Sequence, residues 1–256
     1  RPKYRKKFLR RCKEAGIVGV KIDFLESESQ AAIHFYRQML EDAAEEQLMV
    51  IYHNPNKPTG LARTYPHLLN REAVRGMQSD CDPEDNVILP FTRFVGGDAD
   101  YTPFCFSVPE RKGKATMGHM LANTVIFQSS LLTISEHPAH LIDHIAVDFL
   151  RLLPVFYDET RVLPGSLPGE KAIFARKSGE SWFFALQQGP DQKGNQTIYL
   201  DFLDKDAEYD LTLFTDDPND TNKLIRNEIT VKRGDQVTFY VPQNGGAAGI
   251  FRLKRD

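Results

Sequence analysis

Polar side chains that could carry acid–base chemistry follow the ends of the first predicted strands. Lys21 and Asp23 close a short β-branched run, His53 and Asn54 come just past the next run, and Glu72 follows further on. In a parallel α/β fold the carboxyl ends of the strands meet at one rim, so we expect these groups to converge there. Carboxylates, an imidazole and an ammonium on one rim suit acid–base chemistry on a polar substrate such as a sugar.

Each of these residues also fits a purely structural role. Asp23 could be an acid that caps the following helix, His53-Asn54 a plain turn, and Glu72 a surface residue. Lys21 is harder to explain in this way, because a lysine within a strand of Val and Ile needs a negative partner. Asp23 lies two residues later on the same face of the strand, so we expect it to pair with Lys21 and to stay ionised.

Strand and helix patterns alternate over about the first 155 residues. The patterns predict a helix over 4–15 that ends at Gly16, and a helix from the cap Ser29 to Glu46 between strands at 19–24 and 48–52. Alternation of this kind indicates a (β/α) barrel or a doubly wound sheet. Weaker patterns predict strands at 73–77, 91–95 and 131–135, and helices at 114–127 and 141–153.

The pattern changes near Tyr157, where short apolar runs separated by turn residues begin. Spacing of this kind is typical of an antiparallel β-sandwich. We therefore predict an α/β domain over residues 1–158 and an all-β domain over 159–256. The aromatic run Trp182-Phe-Phe184 fits a strand buried in the core better than a sugar-binding platform.

Composition excludes several classes of protein. The chain has 256 residues and a formal net charge of −3, with both signs well mixed, so we expect no nucleic-acid partner. No apolar run approaches the ~18–20 residues that span a bilayer, so we expect no membrane span. Three widely separated cysteines predict neither a CxxC metal site nor a fully paired disulfide framework.

Several motifs resemble glycoside hydrolase family 97. They are Gly19-Val-Lys-Ile-Asp-Phe24, Lys57-Pro-Thr-Gly-Leu-Ala-Arg-Thr-Tyr-Pro66, Arg71-Glu-Ala-Val-Arg-Gly76, Leu89-Pro-Phe-Thr-Arg93, Asp100-Tyr-Thr-Pro103 and Leu153-Pro-Val-Phe-Tyr-Asp-Glu-Thr160. The resemblance implies the later part of a catalytic (β/α)8 TIM-type barrel followed by a β-sandwich. It also implies an N-terminal part of the same protein outside this chain, and a bacterial protein that is periplasmic or secreted.

The resemblance implies an exo-acting α-glycoside hydrolase with an α-linked oligosaccharide or α-glycoside as substrate. Retaining members of the family, notably α-galactosidases, carry an aspartate nucleophile at the position of Asp23. Leu25 and Asn54 stand where the base glutamates of the inverting α-glucosidases would fall. We therefore expect a retaining α-galactosidase type; an α-glucosidase of the same family is the alternative.

Gln78 departs from the family pattern, which has a glutamate there as the acid/base. A glutamine has no proton to give to a glycosidic oxygen, so turnover should fall while binding survives. An introduced Glu→Gln replacement that inactivates the enzyme is the interpretation we favour. A naturally inactive carbohydrate-binding protein is the alternative.

The resemblance also implies a calcium ion, held by Asn54, Glu72 and position 78 and by a further glutamate outside this chain. Oxygen ligands of this kind suit Ca²⁺. Lys21 and His53 match positions that contact the sugar. Arg63 receives no role, and Asp98 and Asp100 either shape the rim or cap the following segment.

Overall fold

The computed structural model describes residues 2–25, 27–79, 82–107 and 113–255, with the side chain of Gln78 outside the described part. The chain forms two compact units. The first contains the chain up to Arg75 together with Gly96–Tyr101 and Ser129–Leu131; the second contains Gly76–Val95, Thr102–Gln128 and the chain from Leu132 onward. The predicted boundary between residues 158 and 159 separates an α/β sequence pattern from an all-β one, whereas the two units are defined by compactness. The boundary therefore stays a prediction.

The first unit is built on a parallel three-stranded sheet with the order β1-β2-β3. Its elements are α1 Pro2–Glu14, β1 Gly19–Ile22, α2 Gln30–Glu45, β2 Met49–Tyr52, α3 Leu61–Thr64 and β3 Leu68–Arg71. The predicted strand–helix–strand start is confirmed. Gly16 follows α1 with a φ of 79°, and the Ala32 amide donates to the Ser29 hydroxyl at the start of α2 (3.3 Å).

One apolar core holds α1 and α2 against the sheet. Tyr36, Leu40 and Ala43 project from one face of α2 and are fully buried, and they pack with Val50 and Tyr52 of β2. Their three- and four-residue spacing places them on a single helix face. This packing fixes where β1 and β2 end, and hence where the polar groups beyond them lie.

The second unit contains short helices followed by antiparallel strands. Its helices are α4 Pro83–Asn86, α5 Met117–Ile126, α6 Pro138–Ile142 and α7 Val147–Leu152, with short 3-10 helices at Met77–Ser79, Leu89–Phe91 and Arg93–Gly96. Its strands are β4 Glu159–Val162, β5 Lys171–Ser178, β6 Ser181–Gln188, β7 Gly194–Tyr199, β8 Glu208–Asp217, β9 Asp220–Lys232, β10 Gln236–Val241 and β11 Gly246–Leu253.

The strands form two antiparallel sheets, as predicted for this half of the chain. Six strands have the order β4-β5-β6-β11-β8-β9, and β10 pairs with β7 in a second sheet. Ile198 and Val237 of the smaller sheet join one buried cluster with Trp182, Leu211 and Phe251 of the larger one. Trp182 is therefore a core residue. The pattern of short apolar runs did not predict β4 or β11.

Three predicted strands are wrong. The third parallel strand is at Leu68–Arg71 rather than 73–77, because Ala73 has a φ of 39°, a left-handed conformation that ends an extended strand. Residues 91–95 fall in two 3-10 helices separated by a turn at Thr92, and Pro90 in the first of them cannot donate to a strand ladder. Residues 131–135 contain no strand. The predicted helix over 141–153 is interrupted, with α7 beginning only at Val147.

A closed (β/α)8 barrel is not present among the described residues, whose parallel strands number three. The predicted barrel is thus a fold that these strands could belong to, not one that they form. No helix in the described part of the chain is long and apolar enough to cross a bilayer.

Candidate active site at the strand ends

The ends of the three parallel strands bring the predicted polar groups together. Asp23 lies one residue past β1, His53 one residue past β2 and Glu72 one residue past β3. The backbone ties these ends to one another: the His53 amide donates to Ile22 (2.8 Å), and the Glu72 amide donates to Tyr52 (2.9 Å). Neighbouring parallel strands that end in register therefore present one rim, as the sequence indicated.

His53 lies among three carboxylates. Its Nδ1 is 3.1 Å from Glu72 Oε2 and 3.3 Å from Asp100 Oδ2, and its Nε2 is 4.0 Å from Asp23 Oδ2. An imidazole needs a hydrogen on Nδ1 to bind the two acids on that side, and this directs Nε2 toward Asp23. The ring thus links the buried acids to the more exposed one.

Lys21 pairs with Asp100, not with Asp23 as the spacing suggested. Its Nζ is 2.7 Å from Asp100 Oδ2, and Asp100 is completely buried. A buried carboxylate needs a cation more than a partly exposed one does, and the Asp23 side chain is 32% exposed. The prediction that Lys21 has an acidic partner is confirmed, and the identity of the partner was wrong.

The Asp23 carboxylate is held in place from its own loop. Oδ1 accepts a hydrogen bond from the Phe24 amide at 2.6 Å, and Phe24 has a φ of 59°. A positive φ at an aromatic residue is costly, and such strain is found mostly where function requires it. The carboxylate therefore has a fixed direction with one oxygen left toward His53 and solvent.

Glu72 is buried beside other charged groups. Burial raises its pKa, and the Asp100 charge acts in the same direction, while the Asn54 amide, His53 and Lys21 oppose the shift. The Asn54 amide donates to Glu72 Oε2 at 2.5 Å, and Asn54 adopts a φ of 46° to do so. The cluster thus gathers more acidic than basic side chains around one buried position.

The donors fit calcium in kind. Glu72 would supply a carboxylate and Asn54 its side-chain amide oxygen, and a cation would offset the cost of ionising a buried acid. In the part of the chain that the structure describes, no group of three or more His, Cys, Asp or Glu side chains has the arrangement of a metal site. Glu72 and Asn54 would by themselves supply only part of a calcium coordination shell; Gln78, the third predicted ligand, has its side chain outside the described part.

Sequence patterns assign no role to Arg71 and leave Asp100 either shaping the rim or capping the following segment. In the structure Asp100 is the buried acid between Lys21 and His53. Arg71, at the end of β3, lies over the rings of Tyr36 (4.6 Å) and Tyr52 (5.1 Å) and donates to Asn56. No sequence pattern distinguishes an arginine that holds a loop in this way from a surface arginine.

Asp98, a possible rim residue, and Arg63, to which the sequence assigns no role, line a separate cavity of about 160 Å³ in the first unit. Asp98 also accepts a hydrogen bond from the Ser130 hydroxyl, whose oxygen lies 3.3 Å from the Leu69 carbonyl oxygen. Asp98 thus anchors a neighbouring segment rather than joining His53. These two residues stay outside the cluster around His53.

Two sequence models of one family match the chain. Residues 2–74 match "Glycoside hydrolase 97", and residues 156–252 match "Glycosyl-hydrolase 97 C-terminal, oligomerisation". The chain belongs to glycoside hydrolase family 97. The resemblance that the motifs indicated is confirmed.

Two curated relatives agree with this assignment. A "Probable retaining alpha-galactosidase" from Streptomyces bingchenggensis is 33% identical over 92% of this chain and 36% of its own length. A "Retaining alpha-galactosidase" from Bacteroides thetaiotaomicron is 31% identical over 92% of this chain and 38% of its own. This chain therefore spans little more than a third of the length of these relatives.

Solved structures share the fold. A family 97 enzyme from Pseudoalteromonas sp., solved in complex with acarbose, superposes on 99% of this chain and 45% of its own with a TM-score of 0.88 at 23% identity. A β-arabinopyranosidase superposes on 98% of this chain and 42% of its own with a TM-score of 0.80 at 26% identity.

Proposed function

We propose that this chain forms part of a retaining α-glycoside hydrolase, of the α-galactosidase type, in which Asp23 is the nucleophile. The observation that carries the proposal is the fixed, partly exposed Asp23 carboxylate at the rim beside His53. The two curated relatives named as retaining α-galactosidases support the substrate class. The protein that carries this chain would act on the terminal residue of an α-glycoside.

In the proposed reaction, an Asp23 oxygen attacks the anomeric carbon while the glycosidic bond to the leaving oxygen breaks, giving a glycosyl ester. Water then hydrolyses that ester, and the sugar leaves with its original anomeric configuration. Retention requires the two catalytic carboxyl groups to lie ~5 Å apart, because the enzyme itself makes the attack. The second group would stand at position 78.

The remaining rim residues would bind the sugar. Lys21 keeps one N–H on Asp100, and its ammonium has further donors for a sugar hydroxyl. His53 is held by Glu72 and Asp100, so its Nε2 side has a fixed direction for a hydroxyl next to the reacting carbon. Because these two side chains are already held in place, less conformational entropy would be lost when the sugar binds.

Asn54, Glu72 and the residue at position 78 would hold a calcium ion. Such an ion supplies a fixed positive charge that orients the acid/base group and contacts sugar hydroxyls. In this chain Gln78 could offer only a neutral oxygen, so we expect weaker calcium binding than with a glutamate. Isothermal titration of Gln78→Glu and the unchanged protein with Ca²⁺ would test this; equal affinities would contradict it.

Gln78 also supports a second candidate function, an inactive protein that binds carbohydrate. The decisive experiment compares the complete protein that carries this chain with its Gln78→Glu variant. We expect that variant to hydrolyse an unactivated α-galactoside about a hundredfold to ten-thousandfold faster, as is usual for a restored general acid. The gain on p-nitrophenyl α-galactoside should be smaller, because its leaving group needs little protonation.

A matched α-glucoside series in the same experiment assigns the sugar. Faster hydrolysis of the glucosides would replace the galactosidase proposal by the α-glucosidase alternative. No gain in rate on any α-glycoside, together with measurable binding, would favour the carbohydrate-binding function. Adding Asp23→Ala to Gln78→Glu is the control, and it should abolish the gain.

We further propose that residues 156–252 take part in oligomerisation, as the description of the matching family domain states. Location in the periplasm or outside the cell also remains a proposal, and it rests on the family resemblance alone.

A further inference from the structure

β9 forms one outer edge of the six-stranded sheet and is unusually long for that position. It runs for 13 residues, against four for β4 at the opposite edge. Within the described residues, no strand pairs with its outer side. A long outer strand presents a row of backbone donors and acceptors that other chains can pair with, so edge strands are normally short or covered. The outer side of β9 could therefore pair with a strand of another chain.

The middle of β9 carries exposed apolar side chains as well as charged ones. Ile225 is 38% exposed and Ile229 is 45% exposed, and both lie on one face of the strand with Asn227 between them. Arg226 and Glu228 lie on the other face and form an ion pair, with Nη2 2.5 Å from Oε1. The centre of the strand thus carries two exposed isoleucines and two opposite charges.

This arrangement complements itself about Asn227. If a second β9 runs antiparallel with Asn227 opposite Asn227, each Ile225 lies opposite an Ile229 and each Arg226 lies opposite a Glu228. Directly opposed residues of an antiparallel pair share a face, so the apolar and charged pairs both form without conflict. The two ion pairs meet head to tail as a ring of alternating charges, which is the symmetry of an isologous dimer.

We propose that β9 pairs with β9 of a second copy of this chain in this register, which joins the two six-stranded sheets into one. The inference names the surface and the register for the oligomerisation proposed above and rests on that proposal. It does not depend on the glycosidase activity. β4 shows the contrast: Glu159 and Arg161 form a similar ion pair there (2.5 Å), but the four-residue strand is too short for a stable pairing.

Charge reversal tests the register in the protein that carries this chain. Glu228→Arg places two arginines opposite two arginines, and Arg226→Glu places two glutamates opposite two glutamates. Each should raise the dimer dissociation constant at least about tenfold, because like charges face each other. An equimolar mixture of the two variants should form a heterodimer again, and the double swap of Arg226→Glu with Glu228→Arg should remain a dimer.

Sedimentation velocity measures these states, and thermal unfolding of each variant verifies that it is folded. Glu159→Arg on β4 is the matched control and should leave the dimer unchanged. A wild-type protein that stays monomeric would overturn both the oligomerisation proposal and this inference. A dimer that all the β9 variants retain, or a mixture that fails to reassociate, would overturn the inference alone.

Discussion

Two buried carboxylate sites in this protein use their surroundings in opposite ways. Asp216, in β8, accepts hydrogen bonds from the Thr116 hydroxyl (2.7 Å), the Gly118 amide (2.7 Å) and the Gly246 amide (3.1 Å). All of these donors are uncharged. At the strand-end rim, by contrast, the partners are ionisable: Glu72 and Asp100 share His53, and Asp100 also pairs with Lys21.

The difference teaches how to distinguish a structural acid from a functional one. Dedicated donors satisfy Asp216, and they attach the start of α5 to β8 and β11 within the second unit. A Cβ at Gly118 would lie 2.2 Å from the Gly246 oxygen, so that joint is also closely packed. At the rim, the described contacts bring three carboxylates, those of Asp23, Glu72 and Asp100, around Lys21 and His53, an arrangement expected where a cation or a polar substrate binds.

The largest expected effect is a loss of stability where the start of α5 packs against β8 and β11. Asp216→Ala leaves three buried donors without their acceptor, so we expect a loss of about 3–5 kcal/mol in the free energy of unfolding. Asp23→Ala, at the rim, should change it by no more than about 0.5 kcal/mol. Urea denaturation measures both. Equal losses would remove the distinction between the two sites.

His119, which also lies in α5, leads us to expect that stability depends on pH. Burial lowers the pKa of His119 to about 4, and Nε2 lies 3.0 Å from the Asn86 amide nitrogen, which suits a neutral ring. The folded state therefore binds the proton less well than the unfolded chain. This stability is present above the ordinary histidine pKa and is lost as the pH falls toward 4, by up to ~3 kcal/mol.

Urea denaturation across this pH range measures the effect. His119→Gln should flatten the change between pH 6.5 and 4, and the exposed His34→Gln should not. An unchanged slope in His119→Gln would show that another group carries the acid sensitivity.

At the rim we expect a smaller dependence of stability on pH, and one of opposite sign. Because the pKa of Glu72 is raised by burial, its contribution to stability is present below the ordinary glutamate pKa and is lost as the pH rises through the raised value. Without calcium, Glu72→Gln should therefore be more stable than the unchanged protein at neutral pH, by about 1 kcal/mol. Added calcium should stabilise the unchanged protein and not the variant.

Glu136 provides the matched control for Glu72. Burial opposes ionisation there too, but hydrogen bonds from Ser107, His140 and His137 outweigh it and lower the pKa of Glu136 to about 2. Glu136→Gln should therefore destabilise the protein at neutral pH. Destabilisation by Glu72→Gln as well would make Glu72 a structural acid like Asp216.

The sequence predicted the parts of this molecule that depend on local patterns. Gly16, Ser29 and the β-branched runs located the first helices and strands, and the carboxyl-end rule brought Asp23, His53 and Glu72 together. The sequence could not show which side chains form ion pairs, because a pair such as Lys21 with Asp100 joins residues 79 positions apart in the chain. The wrong strands have the same cause: short apolar runs such as 91–95 are equally compatible with 3-10 helix until backbone constraints such as Pro90 are weighed.

The most direct test of the account concerns Asp23 as the nucleophile. In the complete protein carrying Gln78→Glu, adding Asp23→Ala should abolish hydrolysis of p-nitrophenyl α-galactoside. Azide should then restore turnover and give the β-galactosyl azide, because the small anion enters from the face that the carboxylate has left. Hydrolysis that survives Asp23→Ala and yields no glycosyl azide of either anomer would contradict the account.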